Sequence, residues 1–171
     1  TIAVDGSTLA PLAATEDTFK LDGGVAAGGG LYGFPATKDD AAETGYKSIT
    51  VPGALDALEK LRVAMGTKPW SELVAPAVRL AEEGFPADEY LFVHSAASAS
   101  RLQAFPETVQ VFLHHDGTAK VPSFQSAEPE RLRQPALAAT LLNIAEDGPS
   151  VFYQGAQAKS IVAHVQRNGG I

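Results

Sequence analysis

Two imidazoles and a carboxylate stand side by side in "HHDG", His114 to Gly117. Clustered nitrogen and oxygen donors can hold a metal ion or move a proton. On a strand, however, neighbouring side chains point to opposite faces, so two adjacent histidines rarely serve one ion. The expected role is the tip of a hairpin with Asp116-Gly117 as its turn. "GGGLYG" contains Gly28-x-Gly30-x-x-Gly33, the spacing of a dinucleotide-binding turn. That turn works only between a strand and a helix whose N-terminus faces the pyrophosphate. Here "FPATKDD" follows instead of an apolar helix, so a plain loop is the better reading. His94 and His164 fall on expected helices with no second ligand at metal spacing, and read as capping a core edge. "AEEG" and "AEDG" each place two acids in the last turn of a helix. Such pairs can do acid–base work, but beside a helix stop they read as solvated. Ser98 and Ser100 lie in a polar run without the G-x-S-x-G context of a nucleophile elbow and without a base. From residue types alone, no metal site, no cofactor and no catalytic group is expected in this chain.

The elements that would position any site are mostly helices. Residues 1 to 4, "TIAV", are rich in β-branched types and end at "DG", which predicts a strand. Residues 21 to 47 are Gly-rich and then polar, and read as a long loop excursion. "PGALDALEKLRVAMG" spaces Leu55, Leu58, Leu61 and Met65 for a helix and stops on Gly66. "PWSELVAPAVRLAEEG" carries Pro76 inside an amphipathic run. Proline forfeits one backbone hydrogen bond and costs about 3 kcal/mol inside a helix. A kink is therefore expected there, or two short helices with Pro76 opening the second. Either lets Trp70 and Leu73 pack one way and Leu80 another, a packing device without chemistry. "ADEYLFVHSAASASRLQAF" predicts a third helix, and "VQVFLHHDGTAKVPSF" a hairpin. "QPALAATLLNIAEDG" puts Pro135 in the first turn of a fourth, with Leu137, Leu141 and Ile144 on one face and Gly148 at its end. "AQAKSIVAHVQRNGG" predicts a fifth, ending at Asn168-Gly169. No internal repeat is visible.

Composition bounds the rest. The 171 residues suffice for one domain, and 45% hydrophobic with 19% charged residues fits a globular chain. A net charge of −7 argues against a general polyanion binder, so no nucleic acid partner is expected. There is no cysteine, which excludes disulfides, thiolate zinc sites and a cysteine nucleophile. No apolar run approaches the roughly 20 residues of a membrane span, so no membrane partner is expected. No signal-peptide pattern is visible. The chain opens without an initiating Met, so residue 1 need not be a natural start.

The order of phrases carries more than any single motif. "TVPGALDALEKLRVAMGTKPWSELVAPAVRLAEEGFP" and "RQPALAATLLNIAEDGPSVFYQGAQAKSIVAHVQRNGGI" strongly resemble the γ-glutamyltranspeptidase family. "DGSTLAPLAATEDTF" matches the segment just before them. The resemblance covers nearly the whole chain apart from residues 21 to 47 and the hairpin region. It implies an α+β fold: the helical layer of an N-terminal nucleophile hydrolase αββα sandwich, with this chain mostly α-helical. It implies that residues 1 to 171 are part of the large subunit of a single domain. The family is made as a proenzyme that cleaves itself in two, and the small subunit's new N-terminal threonine is the nucleophile. A free α-amine, unlike a peptide nitrogen, can take the hydroxyl proton. The nucleophile is then absent from this chain, because "TIAVDGSTLAP" matches a large-subunit strand and Thr1 is not that threonine.

One departure bears on substrate. Members acting on γ-glutamyl compounds carry an Arg-Glu pair just before "AP", and the Arg fork grips the substrate α-carboxylate. Here Ser7 and Thr8 occupy those positions. Exchanging a charged hydrogen bond for a hydroxyl is worth on the order of 1.5 to 3 kcal/mol. The "DGS" spelling resembles a side branch that includes oxamate amidohydrolase. The leading expectation is a large-subunit part of an amidohydrolase cleaving a small amide, with Ser7 and Thr8 as substrate-binding residues. A γ-glutamyl hydrolase or transpeptidase that grips the carboxylate with another residue is the alternative. A non-catalytic helical binding module is the third. The amidohydrolase reading implies a cytoplasmic location, and the γ-glutamyltranspeptidase reading a periplasmic or extracellular one.

Overall fold

The computed structural model describes residues 1–25, 33–122 and 124–171. Two compact units emerge: Thr1–Thr67 with Pro149–Ile171, and Lys68–Gly148.

The first unit is built on helices α1 (Ala54–Met65), α7 (Ser150–Gln154) and α8 (Ala156–Arg167). Residues 1 to 4, predicted as a strand, form none. A strand needs a neighbour for its N–H and C=O groups, and Ile2 and Val4 stay exposed. Pairing starts later, where Leu9 and Val51 exchange both backbone hydrogen bonds, Leu9 N–H to Val51 C=O at 3.0 Å and the reverse at 2.8 Å. The stretch read as a loop holds a short antiparallel pair, β1 (Leu21–Val25) with β2 (Pro35–Thr37), and then two 3-10 turns. Gly28 and Gly30 lie outside the described residues. Gly33 leads into β2, a strand, where a dinucleotide turn would need a helix.

The second unit centres on α2 (Trp70–Glu83) packed along α6 (Pro135–Asp147). Val74 and Ala81 of α2 and Ala138 and Ile144 of α6 are buried. α2 is one helix through Pro76 rather than two. Small side chains at the contact let it stay close to α6, and that packing outweighs one lost hydrogen bond. Leu73 and Leu80, expected to pack, are exposed. Gly84 ends α2 at φ +75, where a Cβ would lie 2.6 Å from the Leu132 carbonyl oxygen. The chain turns there into β3 (Phe85–Pro86), which pairs antiparallel with β4 (Arg131–Leu132). Arg131 and Arg133 donate to the Glu83 carbonyl at 3.0 and 3.1 Å, and Arg131 also to that of Gly84. Cations thus satisfy the orphan carbonyls at the negative end of α2.

The third predicted helix breaks into α3 (Glu89–Ala97) and α4 (Ala99–Leu102), and a further helix, α5 (Pro106–Phe112), follows beyond its predicted end. Asp88 caps α3 by accepting from Leu91 N–H at 2.7 Å. The predicted hairpin shrinks, because residues 106 to 112 are helical. Among the described residues, what remains is the Leu113–Ala119 bridge around the Asp116-Gly117 turn. Among the described residues, no helix is long and apolar enough to cross a membrane.

Candidate functional site

The segment that carries Ser7 and Thr8 lies against the start of α1. Gly6 approaches so closely that a Cβ there would sit 2.9 Å from the Ala57 methyl carbon. A Cβ on Gly53 would collide with the Ser7 carbonyl oxygen. Residues 6 to 9 therefore run antiparallel along 51 to 57, fixed at one end by the Leu9–Val51 bridge. "VPG" supplies this contact because only glycine lets the two backbones come so near.

Ser7 and Thr8 are both exposed. Ser7 also closes a local turn: its N–H donates to Asp5 Oδ1 at 2.8 Å. Its hydroxyl and N–H together hold the Asp5 carboxyl below the usual carboxylate range. Two hydroxyls with an anchored carboxylate can orient a small polar group, but they lack the planar fork that grips a carboxylate.

The start of α1 has an unusual cap. Gly53 at the N-cap has no side chain to satisfy the first N–H groups. The Tyr153 hydroxyl does so from α7, accepting from Asp56 N–H at 3.1 Å and donating to the Pro52 carbonyl at 2.8 Å. Sequence reasoning missed this residue. Its signal was indirect: a helix opening on "PG" lacks a local cap and must find one elsewhere.

The other candidates take structural roles. His114 Nε2 lies 3.0 Å from Glu130 Oε2, while His115 is exposed. Glu130 also accepts from Val121 N–H at 2.6 Å, and that bond foremost holds its carboxyl below the ordinary range, against the opposing effect of burial and with help from His114. Asp116 accepts from the N–H and hydroxyl of Thr118 at 2.9 and 2.7 Å, closing the turn. His94 and His164 do not cap a core edge. Both are exposed and rest on tyrosines, His94 on Tyr90 with ring centroids 4.1 Å apart and His164 on Tyr46 at 5.4 Å. Glu82, Glu83, Glu146 and Asp147 are solvated at their helix ends. Ser98 is the joint between α3 and α4. Among the described residues, no group of three or more His, Asp or Glu could hold a metal ion.

Comparison with known proteins places this arrangement. The family model described as Gamma-glutamyltranspeptidase matches residues 1–171. Glutathione hydrolase 2 of Arabidopsis thaliana is 34% identical over 170 residues, 99% of this chain and 25% of its own length. The γ-glutamyltranspeptidase structure from Helicobacter pylori superposes with a TM-score of 0.79 at 27% identity, covering 98% of this chain and 43% of that one. A cephalosporin acylase structure from Bacillus halodurans gives 0.69 at 26% identity, covering 98% and 28%. The chain thus spans about a quarter of the length of the curated relative it matches. Its mostly helical α+β architecture is a portion of the N-terminal nucleophile hydrolase fold of these proteins. A family model that matches residues 1–171, with a relative matched over 99% of the chain and a backbone likeness over 98%, leaves one assignment: the chain belongs to the γ-glutamyltranspeptidase family.

Proposed function

We propose that this chain is the large-subunit part of a self-processing amidohydrolase that cleaves a small, non-glutamyl amide. The family match over residues 1–171 carries the reading. The narrower substrate class rests on Ser7 and Thr8 standing where the family's γ-glutamyl enzymes carry Arg-Glu. In this mechanism the partner threonine's α-amine takes the hydroxyl proton as Oγ attacks the amide carbon. The C–N bond breaks, and the leaving nitrogen departs with that proton as ammonia or an amine. Water then hydrolyses the acyl-enzyme ester and returns the threonine. This chain's share is to shape the acyl side of the pocket, with the Thr8 hydroxyl as a short donor at its mouth and the Ser7 hydroxyl, whose proton goes to Asp5, as an acceptor.

A second reading is favoured by the name of a relative. The Arabidopsis protein is called a glutathione hydrolase, and a γ-glutamyl enzyme would need its carboxylate grip from another residue. The acylase neighbour shows that proteins of similar fold carry names outside γ-glutamyl chemistry. Ammonia release from a panel of small amides, measured beside anilide release from a γ-glutamyl anilide, separates the two. Faster turnover of the anilide than of every small amide overturns the first reading. Absence of a threonine-headed partner chain in mass spectrometry of the purified protein overturns both and leaves a binding module.

A further inference from the structure

Tyr153 holds both ends of the backbone on which the Ser7 segment lies. Its hydroxyl donates to the Pro52 carbonyl at 2.8 Å and accepts from Asp56 N–H at 3.1 Å. Between those two points lie Gly53, which meets the Ser7 carbonyl, and Ala54, whose Cα would be 3.3 Å from a Cβ on Gly6. One residue before Pro52, Val51 makes its two hydrogen bonds to Leu9. No side chain of the N-cap residue serves this helix start. The hydroxyl is therefore a cross-brace between α7 and the first turn of α1, and the Ser7–Thr8 segment rests on the braced turn.

We propose that Tyr153 is a positioning residue for substrate: it sets the depth and angle at which Ser7 and Thr8 meet the acyl side of the amide. This rests on the reading of Ser7 and Thr8 as substrate-binding residues. Tyr153 touches no substrate. It acts through the Pro52–Asp56 turn and the backbone of residues 6 to 9. A phenylalanine would keep the ring and remove both hydrogen bonds. The turn would then lose its cap, and the segment resting on it would gain freedom. An ordinary neutral hydrogen bond has a net value corresponding to roughly two- to tenfold in an equilibrium constant, so the expected effect is of that size.

The test uses the natural protein carrying this chain, with oxamate and a γ-glutamyl anilide as probes. Tyr153→Phe should raise KM for the better probe about two- to tenfold while kcat changes less, because the nucleophile is untouched. Tyr46→Phe removes a hydroxyl that contacts His164 in the same unit and should leave KM unchanged. Gly53→Ala reaches the same segment from the other side, since its Cβ would press on the Ser7 carbonyl, and should raise KM without touching Tyr153. Ser7→Ala combined with Tyr153→Phe should be less than additive in KM. A lowered Tm with unaltered KM in Tyr153→Phe would make Tyr153 a helix staple only and overturn the proposal. A KM change in Ser7→Ala without one in Tyr153→Phe would also overturn it, while leaving the substrate-binding reading intact. No KM change in Ser7→Ala or in Thr8→Val would overturn that underlying reading instead. Hydrogen exchange provides a readout independent of turnover. Tyr153→Phe should speed exchange of the Asp56, Leu9 and Val51 amides together, and unchanged protection of Leu9 and Val51 would overturn the proposal whichever probe is hydrolysed.

Discussion

At the scale of single residues, the Ser7 position tests substrate choice. A guanidinium there would add the fork that a γ-glutamyl α-carboxylate needs. Asp5 is its competing partner, since Asp5 already binds Ser7 through the turn and holds its carboxyl low. The decisive variant is therefore Ser7→Arg combined with Asp5→Asn. Its activity ratio, γ-glutamyl anilide over small amide, should rise about tenfold, which is about 1.4 kcal/mol of transition-state stabilisation. An unaltered ratio in a variant that still cleaves itself would show that Ser7 does not set specificity. Glu130 gives a second outcome at this scale, in pH. Its folded-state proton affinity is lowered, first by the Val121 N–H and further by His114. A depressed carboxylate stabilises the fold above its ordinary value of 4.5 and loses that contribution as pH falls through the lower folded value. Glu130→Gln should thus lower Tm at neutral pH by more than at a pH acidic enough to protonate the native carboxyl. Equal losses at both pH values would contradict the charged role of the contact. Ser7 and Thr8 were legible in the sequence as a departure from a family phrase. Glu130 and Tyr153 were not, because each works through a backbone group outside its own element, Val121 for Glu130 and the start of α1 for Tyr153, and side-chain spacing does not show such partners.

At the scale of elements, the long helices α1, α2, α6 and α8 were legible, the short α5 and α7 were not, and neither was helix function in packing. Pro135 and Gly148 bound α6 where the stop signals stand, and Gly84 bounds α2. Leu58, Leu61, Leu73 and Leu80 keep helical spacing yet lie exposed, while Ala57, Val74 and Ala81 fill the contacts. Periodicity reports an apolar face but not which neighbour covers it. The failed strand at residues 1 to 4 has the same cause, since β-branched residues form a ladder only beside a partner. Where a glycine ends a helix, the structure adds a distinction invisible in sequence. Gly84 at φ +75 and Gly148 at φ +81 share a left-handed backbone, but only Gly84 faces another backbone, with nothing within 4 Å of a Cβ on Gly148. Gly148→Ala should lose only the backbone strain, on the order of 1 to 3 kcal/mol. Gly84→Ala should lose that and more, as the β3–β4 contact with Leu132 shifts. Unfolding in urea compares the two directly, and equal losses would mean that the close approach to Leu132 carries no stability.

At the scale of the whole molecule, the apolar surface is the governing fact. Large apolar side chains stand exposed within each unit taken separately: Val63 at 70% and Met65 at 59% in the first, Leu80 at 56% and Leu142 at 47% in the second. Burying one such side chain is worth about 1.5 to 3 kcal/mol. Leaving many of them in water forgoes driving force that should offset chain entropy. The chain corresponds to 25% of the length of a curated relative, and on the proposed two-subunit reading the remaining length would supply the missing cover. The expected outcome is that this chain, expressed alone, binds a hydrophobic dye and self-associates. Co-expressed with the remainder of its own precursor, it should form a soluble complex, lose dye binding and release a partner chain headed by threonine on denaturation. The dye and the partner report different things. Loss of dye binding shows that the apolar faces are covered, and the threonine-headed chain shows that the cover is the processed small subunit. A lone chain that is monomeric, dye-silent and cooperatively folded would mean that these faces are satisfied without a partner, and the two-subunit reading would fall with it.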